Sequence, residues 1–279
     1  MTETLPMQTK DLSGGFGSGA FGDVLDELFA INELVGEEGF FEAVAVFLKR
    51  WIPYDSISIF EFSPHMQPRT LFTVGEQYDV GMVEYLSGIY LIDPLYELYV
   101  RDGKFGVFLF NLQGDEDHDV PETFIRYWRK VIGRNEIGTL MQLSEESCAH
   151  MSMFVSLQEG QETQLAVQFI EALHEPMTQM VARHLAPTTQ TTAQSDESRR
   201  HVHETVSQIM ADFGGDVLTA REKEIVHLLL RGHSAKSIAR LLEISPGTAA
   251  IHRSNVYKKL GASGQGELFA QFVTRLISN

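Results

Sequence analysis

The chain has little cysteine, little tryptophan and few positive charges, and each scarcity excludes something. One thiol, Cys148, in 279 residues excludes an internal disulfide framework and fits a reducing cytoplasm. A lone thiol most often fills a core. The only tryptophans are Trp51 and Trp128. No stretch approaches the roughly 18 uncharged apolar residues that a membrane-spanning helix needs, so no membrane partner is expected. The opening MTETLPMQTKDLSGG has no basic region followed by an apolar core, and the expectation is a cytoplasmic chain without a secretion signal. Lys and Arg number 22 against 38 Asp and Glu, a formal charge of −16 that argues against nucleic-acid binding by the chain as a whole. The remaining composition, 43% hydrophobic and 22% charged, suits two globular domains.

The charge is unevenly spread. Residues 216–279 hold nine Lys/Arg against five Asp/Glu, a net of +4, and residues 1–215 hold thirteen against thirty-three, a net of −20. Binding responds to the field within a Debye length of about 10 Å, so a locally basic end can bind DNA while the acidic part lies farther off. That basic end carries helix signals. Thr219 and Glu222 form a capping-box pair ahead of Ile225, Val226, Leu228, Leu229 and Leu230, and Gly232 ends the helix. Ser234 opens a short second helix in which Ile238, Ala239, Leu241 and Leu242 are spaced to face inward. Ser245 caps a third, with Pro246 at its first position and Gly261 closing it. Within the third, Ala249, Val256 and Leu260 mark a core stripe, while Ala250, Ile251, Ser254 and Lys258 point largely the other way. Two short helices and a longer one with a small, cation-flanked outer surface are the layout of a helix-turn-helix reader of double-stranded DNA.

Leu218-Thr219, Arg221-Glu222, Glu224, Gly232, Ser234, Lys236, Ile238-Ala239, Ile244-Ser245, Thr248, His252, Asn255-Val256 and Lys259-Leu260-Gly261 together resemble the LuxR-type helix-turn-helix domain, over about a quarter of the chain. The resemblance implies a transcriptional regulator. Two positions depart from the pattern: Ala249 stands where valine is usual, a change of roughly 1 kcal/mol if uncompensated, and Gln265 stands where arginine is common. On the outer surface, Ala250, Ile251 and Ser254 are short enough to reach base edges. Ser234, Lys236, Thr248, Arg253 and Lys258 are the expected phosphate contacts. Two-fold DNA sites imply a homodimer.

The remaining chain divides as a flexible segment at 1–22, a sensing domain at 23–185, a linker at 186–198 (APTTQTTAQSDES), a connecting amphipathic helix at 199–215 and the helix-turn-helix at 216–279. In the connecting helix Val202, Val206, Ile209, Met210 and Phe213 form one stripe, which can pack on the DNA-reading unit or pair with another subunit. Residues 23–29 and 40–51 predict helices, 56–62 and 69–74 predict strands around an SPHMQP turn, and 78–87, 94–101 and 121–133 are helical. A second hairpin follows at 136–143 and 150–158, then a helix over 162–185 interrupted by Pro176. The fold class is α+β: an N-terminal α/β sandwich with a central antiparallel sheet and a C-terminal all-α four-helix unit. This order resembles the GAF/PAS-like sensory domains attached to LuxR-type units. A phosphoacceptor receiver would need alternating parallel strands and helices and fits badly.

Several motifs lead elsewhere. GSGAFGDV (Gly17 to Val24) matches a kinase glycine loop and Asp212-Phe213-Gly214 its metal-binding triplet, but no His-Arg-Asp loop precedes and no room for a C-terminal lobe follows. Asp115 to Asp119, DEDHD, suits a solvated turn better than a metal site. His201 and His203 lie two apart on a helix, so their rings diverge, and both are expected at the surface. No nucleophile, metal set or cofactor loop emerges, and neither enzyme activity nor a cofactor is expected. In the sensing domain, four of eight tyrosines gather around Asp93-Pro94. That pair serves equally as a helix start and the tyrosines as core. Alternatively, Asp93 with Tyr90, Tyr96 and Trp128 makes a pocket for a small-molecule effector, a small amine or quaternary ammonium. An Asp-Pro also occurs in the acyl-homoserine-lactone sensors that this regulator family includes, where the Asp contacts the ligand amide, but neither Trp51 nor Trp128 lies near Asp93 as in those sensors. A domain that binds a protein instead of a small molecule is the third reading.

Overall fold

A computed structural model gives the structure of this chain and describes residues 18–75, 78–110, 135–155, 161–186, 193–231 and 233–277. Trp128, Asp115 to Asp119, the predicted helix at 121–133, Gly232 and the residues before Ser18 lie outside the described residues.

Two helices, α1 (Ser18–Glu33) and α2 (Phe40–Trp51), lead into the strand pair β1 (Tyr54–Phe62) and β2 (Arg69–Val74). The turn between them holds His65 at φ 62, a left-handed conformation uncommon outside glycine. Helix α3 (Tyr78–Leu86), a 3₁₀ turn (Ile89–Ile92) and α4 (Pro94–Asp102) follow, then β3 (Gly106–Phe110), β4 (Asn135–Gln142), β5 (Cys148–Val155) and the long α5 (Gln161–His184). The strands form one antiparallel sheet in the order β2-β1-β5-β4-β3. Because side chains alternate across a strand, the sheet has two chemically distinct faces. On one, Ile57, Ile59, Ile137, Met151 and Met153 pack with Phe47, Leu48 and Trp51 of α2 and Phe169, Ile170 and Leu173 of α5. On the other, Phe60, Phe62, Leu140 and Cys148 meet Tyr90, Leu95, Tyr96 and Tyr99. Every residue of central β5 is buried, whereas β2 at the edge is half-exposed.

The C-terminal part is helical: α6 (Ala193–Ala211), a 3₁₀ turn (Gly215–Val217), α7 (Ala220–Leu230), α8 (Ala235–Leu241), α9 (Pro246–Leu260) and α10 (Gln265–Ile277). Val206, Met210 and Phe213 join Ile225, Val226, Leu229, Ile238, Ala249, Val256, Leu268 and Phe272 in one apolar cluster, with Phe213 and Phe272 edge to face at 5.5 Å. Ile89, Ile92 and Phe154 of the N-terminal domain belong to the same cluster. The stripe on α6 is therefore covered within the chain.

Four expectations need correction. Helix α1 starts at Ser18, inside the segment read as flexible, and Val24, Leu28 and Ile31 give it an apolar face on the core. Helix α6 starts at Ala193, so half of the linker read at 186–198 is helical; its polar residues tolerate a helix, and Arg199 pairs with Asp196 one turn earlier at 3.0 Å. Strand β3 has no short-range signal in the sequence, since its five residues pair with β4, far along the chain. Pro176 does not interrupt α5: it and Ala172, whose carbonyl loses a backbone partner, are both exposed, so water can satisfy that oxygen.

Candidate functional site

The starts of α7, α8 and α9 are each closed by the side chain their sequence provides. Thr219 accepts from the Glu222 backbone N–H at 3.3 Å while Glu222 Oε2 accepts from the Thr219 N–H at 2.8 Å, a complete capping box. The same Glu222 oxygen receives Lys259 Nζ at 2.6 Å, so one buried carboxylate ties the start of α7 to the end of α9. The hydrogen bonds from Lys259 and from the Thr219 backbone hold its pKa down, at about 2. Ser234 accepts from the Ser237 N–H at 3.2 Å, and Ser245 from the Thr248 N–H at 3.0 Å. Gly261 closes α9 in the left-handed conformation at φ 66. Gln265 reaches back to donate to the Leu229 carbonyl at 2.9 Å, which gives this position an internal structural role.

Helix α9 is two-sided. Ala249 and Val256 are fully buried and anchor it, Leu260 is half-buried, and Ile251 is 64% exposed beside exposed Ser254 and half-buried Ala250. Thr248, Ser234, Lys236 and Lys258 are exposed and Arg253 half-buried, with no ion pair holding these three cations among the described residues. One correction applies to α8: Leu241, expected inward, is 47% exposed, and Ile238 and Ala239 alone are buried on that helix's apolar side.

In the sensing domain Asp93 caps α4, accepting from the Leu95 N–H at 2.8 Å and from the Tyr85 hydroxyl at 2.7 Å. Burial pushes its carboxyl above the usual range, against the pull of His150 and those hydrogen bonds. Tyr96 stands edge to face with Tyr90 at 5.3 Å and with Phe62 at 5.2 Å. Tyr90, Asp93 and Tyr96 are thus brought together; Trp128 cannot be placed. Two buried groups were not anticipated as site residues: His150, stacked 6.0 Å from Phe60, and Glu136, bonded by the Ser152 hydroxyl.

The two parts touch through polar contacts as well. The Tyr90 hydroxyl and His203 Nδ1 of α6 are 3.0 Å apart, so His203 is buried and not the surface residue expected; its ring is drawn inward by a tyrosine 113 positions away. Arg199 Nε donates to the Gln67 carbonyl at 2.8 Å, and Arg231, just after α7, lies 3.5 Å from Glu97 of α4.

Residues 216–270 match the family described as bacterial regulatory proteins, luxR family. An HTH-type transcriptional regulator of Aeromonas salmonicida is 42% identical over 89 residues, 32% of this chain and 44% of that protein. The spore germination protein GerE of Bacillus subtilis is 37% identical over 57 residues, 20% of this chain and 77% of GerE. The VqsR LBD domain from Pseudomonas aeruginosa has a TM-score of 0.48 at 22% identity, covering 60% of this chain and 97% of that one. The chain spans less than half the length of the first curated relatives it matches. No described helix is long and apolar enough to cross a membrane. With its capping box, its Ser245-capped α9 and more than two thirds of GerE matched at 37% identity, the chain belongs to the luxR family of bacterial regulatory proteins.

Proposed function

We propose that the chain is a one-component DNA-binding transcriptional regulator, in which the N-terminal domain holds a small-molecule effector and biases the C-terminal helix-turn-helix. In this reading it acts in the cytoplasm as a homodimer on a two-fold DNA site and performs no chemistry. The observation that carries the reading is the two-sided α9: a buried Ala249 and Val256 fix the helix while Ile251 and Ser254 stand clear for base edges. Ala250 completes the reading face; Ser234, Lys236, Thr248, Arg253 and Lys258 hold phosphates.

On the sensor side, Asp93 with Tyr90, Tyr96 and Trp128 suits a small amine or quaternary ammonium. The buried carboxylate at the centre of a tyrosine group supports that reading. An acyl lactone would also present an amide N–H to Asp93, and remains the second reading. The effector acts through residues 89–102, because that stretch carries both the Asp93 cap and the contacts of Tyr90 with His203 and of Glu97 with Arg231. A ligand shifts this equilibrium only by preferring one arrangement of those contacts.

Salt titration of DNA binding by the full chain tests the core of this proposal. A dimer neutralising about 6 phosphates gives a slope of log K against log salt of about −5. Removing Lys236 or Lys258 weakens binding to all sequences alike and flattens the slope. A slope near zero defeats the proposal.

A further inference from the structure

We infer that the interior of the sensor takes a primary ammonium group, with Glu136, His150 and Asp93 as its three acceptors. The inference rests on the small-amine reading above and narrows it from amines in general to those with N–H donors. Glu136 of β4 is 1% exposed; its Oε1 receives the Ser152 hydroxyl, and its Oε2 is buried with no hydrogen-bond partner among the described residues. Such an oxygen is costly unless something donates to it. His150 Nδ1 lies 3.1 Å from the Thr139 carbonyl, which can only accept, so Nδ1 carries the proton. Nε2 then stands 3.8 Å from Glu136 Oε1, too far for a hydrogen bond, and presents a lone pair. Burial favours this neutral ring by lowering the His150 pKa. Asp93 accepts from the Tyr85 hydroxyl and from the Leu95 and Tyr96 backbone N–H groups, which leaves one of the roughly four acceptor sites of a carboxylate.

Glu136 and His150 flank Gly138: a Cβ there would lie 3.5 Å from Glu136 Oε1 and from His150 Cε1, and would collide with Leu95 Cδ1. Asp93 acts electrostatically on both. The tip of Leu95, a flexible side chain two residues beyond Asp93, occupies the space over Gly138. No lysine or arginine among the described residues pairs with Asp93 or Glu136. Among the described residues the set offers acceptors and no cation of its own. Burial, with Asp93 beside it, holds the Glu136 carboxyl well above the usual range, and an arriving positive charge favours its ionised, accepting form. A primary ammonium brings that charge and three N–H donors for the three acceptors. A quaternary ammonium brings the charge without a donor, and an acyl lactone brings a single amide N–H, which leaves Glu136 Oε2 unmet in either case.

Calorimetric titration of the full chain with ethanolamine and putrescine, with choline and N-octanoyl homoserine lactone as contrasts, separates these ligands. A primary amine is expected to bind, choline about tenfold or more weaker, and Glu136→Gln to weaken amine binding by about tenfold or more. Equal binding by choline, or unchanged amine binding in Glu136→Gln, overturns the assignment while leaving amine sensing standing. Binding by the lactone alone, or by nothing in the panel, overturns it together with the small-amine reading. Ring-nitrogen NMR of His150 in the unaltered chain provides a check that does not depend on a variant folding. A neutral ring whose Nε2 signal moves on adding the amine is the expected result. An imidazolium at neutral pH would replace the acceptor by a His150–Glu136 ion pair and end the proposal.

Discussion

In α9, Ile251, Ser254 and Lys258 face solvent, whereas in the sensor Asp93, Glu136 and His150 are each 4% exposed or less. The exposed face of α9 keeps its polar groups hydrated, so charge on it acts at long range and is screened by salt. The interior of the N-terminal domain has already removed Asp93, Glu136 and His150 from water, where a polar group left without a partner is costly. On the reading proposed above, the first surface gains from any partner of opposite charge and the second only from one whose donors match.

The contrast is broken most severely by Phe272→Ala. Phe272 is fully buried against Phe213, and its truncation is expected to cost about 3–5 kcal/mol in chemical denaturation. The loss should fall on DNA binding while the ligand response of the N-terminal domain persists. Simultaneous loss of both would mean that the two regions fold as one unit. A smaller effect is expected on the reading face itself: Ile251→Ala and Ser254→Ala should each alter preference at one or two base pairs per half-site, by about 1–3 kcal/mol. An unchanged consensus in binding-site selection would remove both residues from base contact. Smallest is a pH effect at Glu222. Its folded-state pKa, about 2, lies below the ordinary 4.5, so the stability it contributes is present above pH 4.5 and is lost as the pH falls toward 2. Over a third of the Lys259 side chain is exposed, and screening by solvent and salt reduces the ion pair's share. Glu222→Gln should flatten the acid limb of the stability curve; an identical limb in the variant would assign that limb to other carboxylates.

The legibility of these regions differed for a physical reason. Thr219 with Glu222, Ser245 with Pro246, and Gly261 lie within a helical turn of the groups they satisfy, so chain spacing alone reveals them. The strands of both hairpins and the pairing of their faces follow from alternation in the same way. Glu136 with Ser152, Tyr90 with His203 and Gln265 with the Leu229 carbonyl join positions 16, 113 and 36 apart, and no periodicity relates them. His203 was misplaced on that account: two histidines spaced two apart on a helix do diverge, but the direction of each depends on what packs there. Asp93 was identified because its capping role is local, whereas its buried partners His150 and Glu136 became visible only once β4 and β5 lay side by side.

Helix α6 holds the sensing domain with Arg199 and His203 in one half and the DNA-reading unit with Met210 and Phe213 at its other end. It cannot be assigned to either part, and this limits how the chain can be recombined. A chimera joined within residues 193–211 would leave a foreign helix facing Tyr90 or Phe272. A junction before Ala193 would carry α6 away from Gln67 and Tyr90, and one after Phe213 would bring a new reading unit against the old apolar end. Exchange of DNA specificity should therefore succeed by substituting Ala250, Ile251 and Ser254 within the resident α9 more readily than by exchanging whole domains.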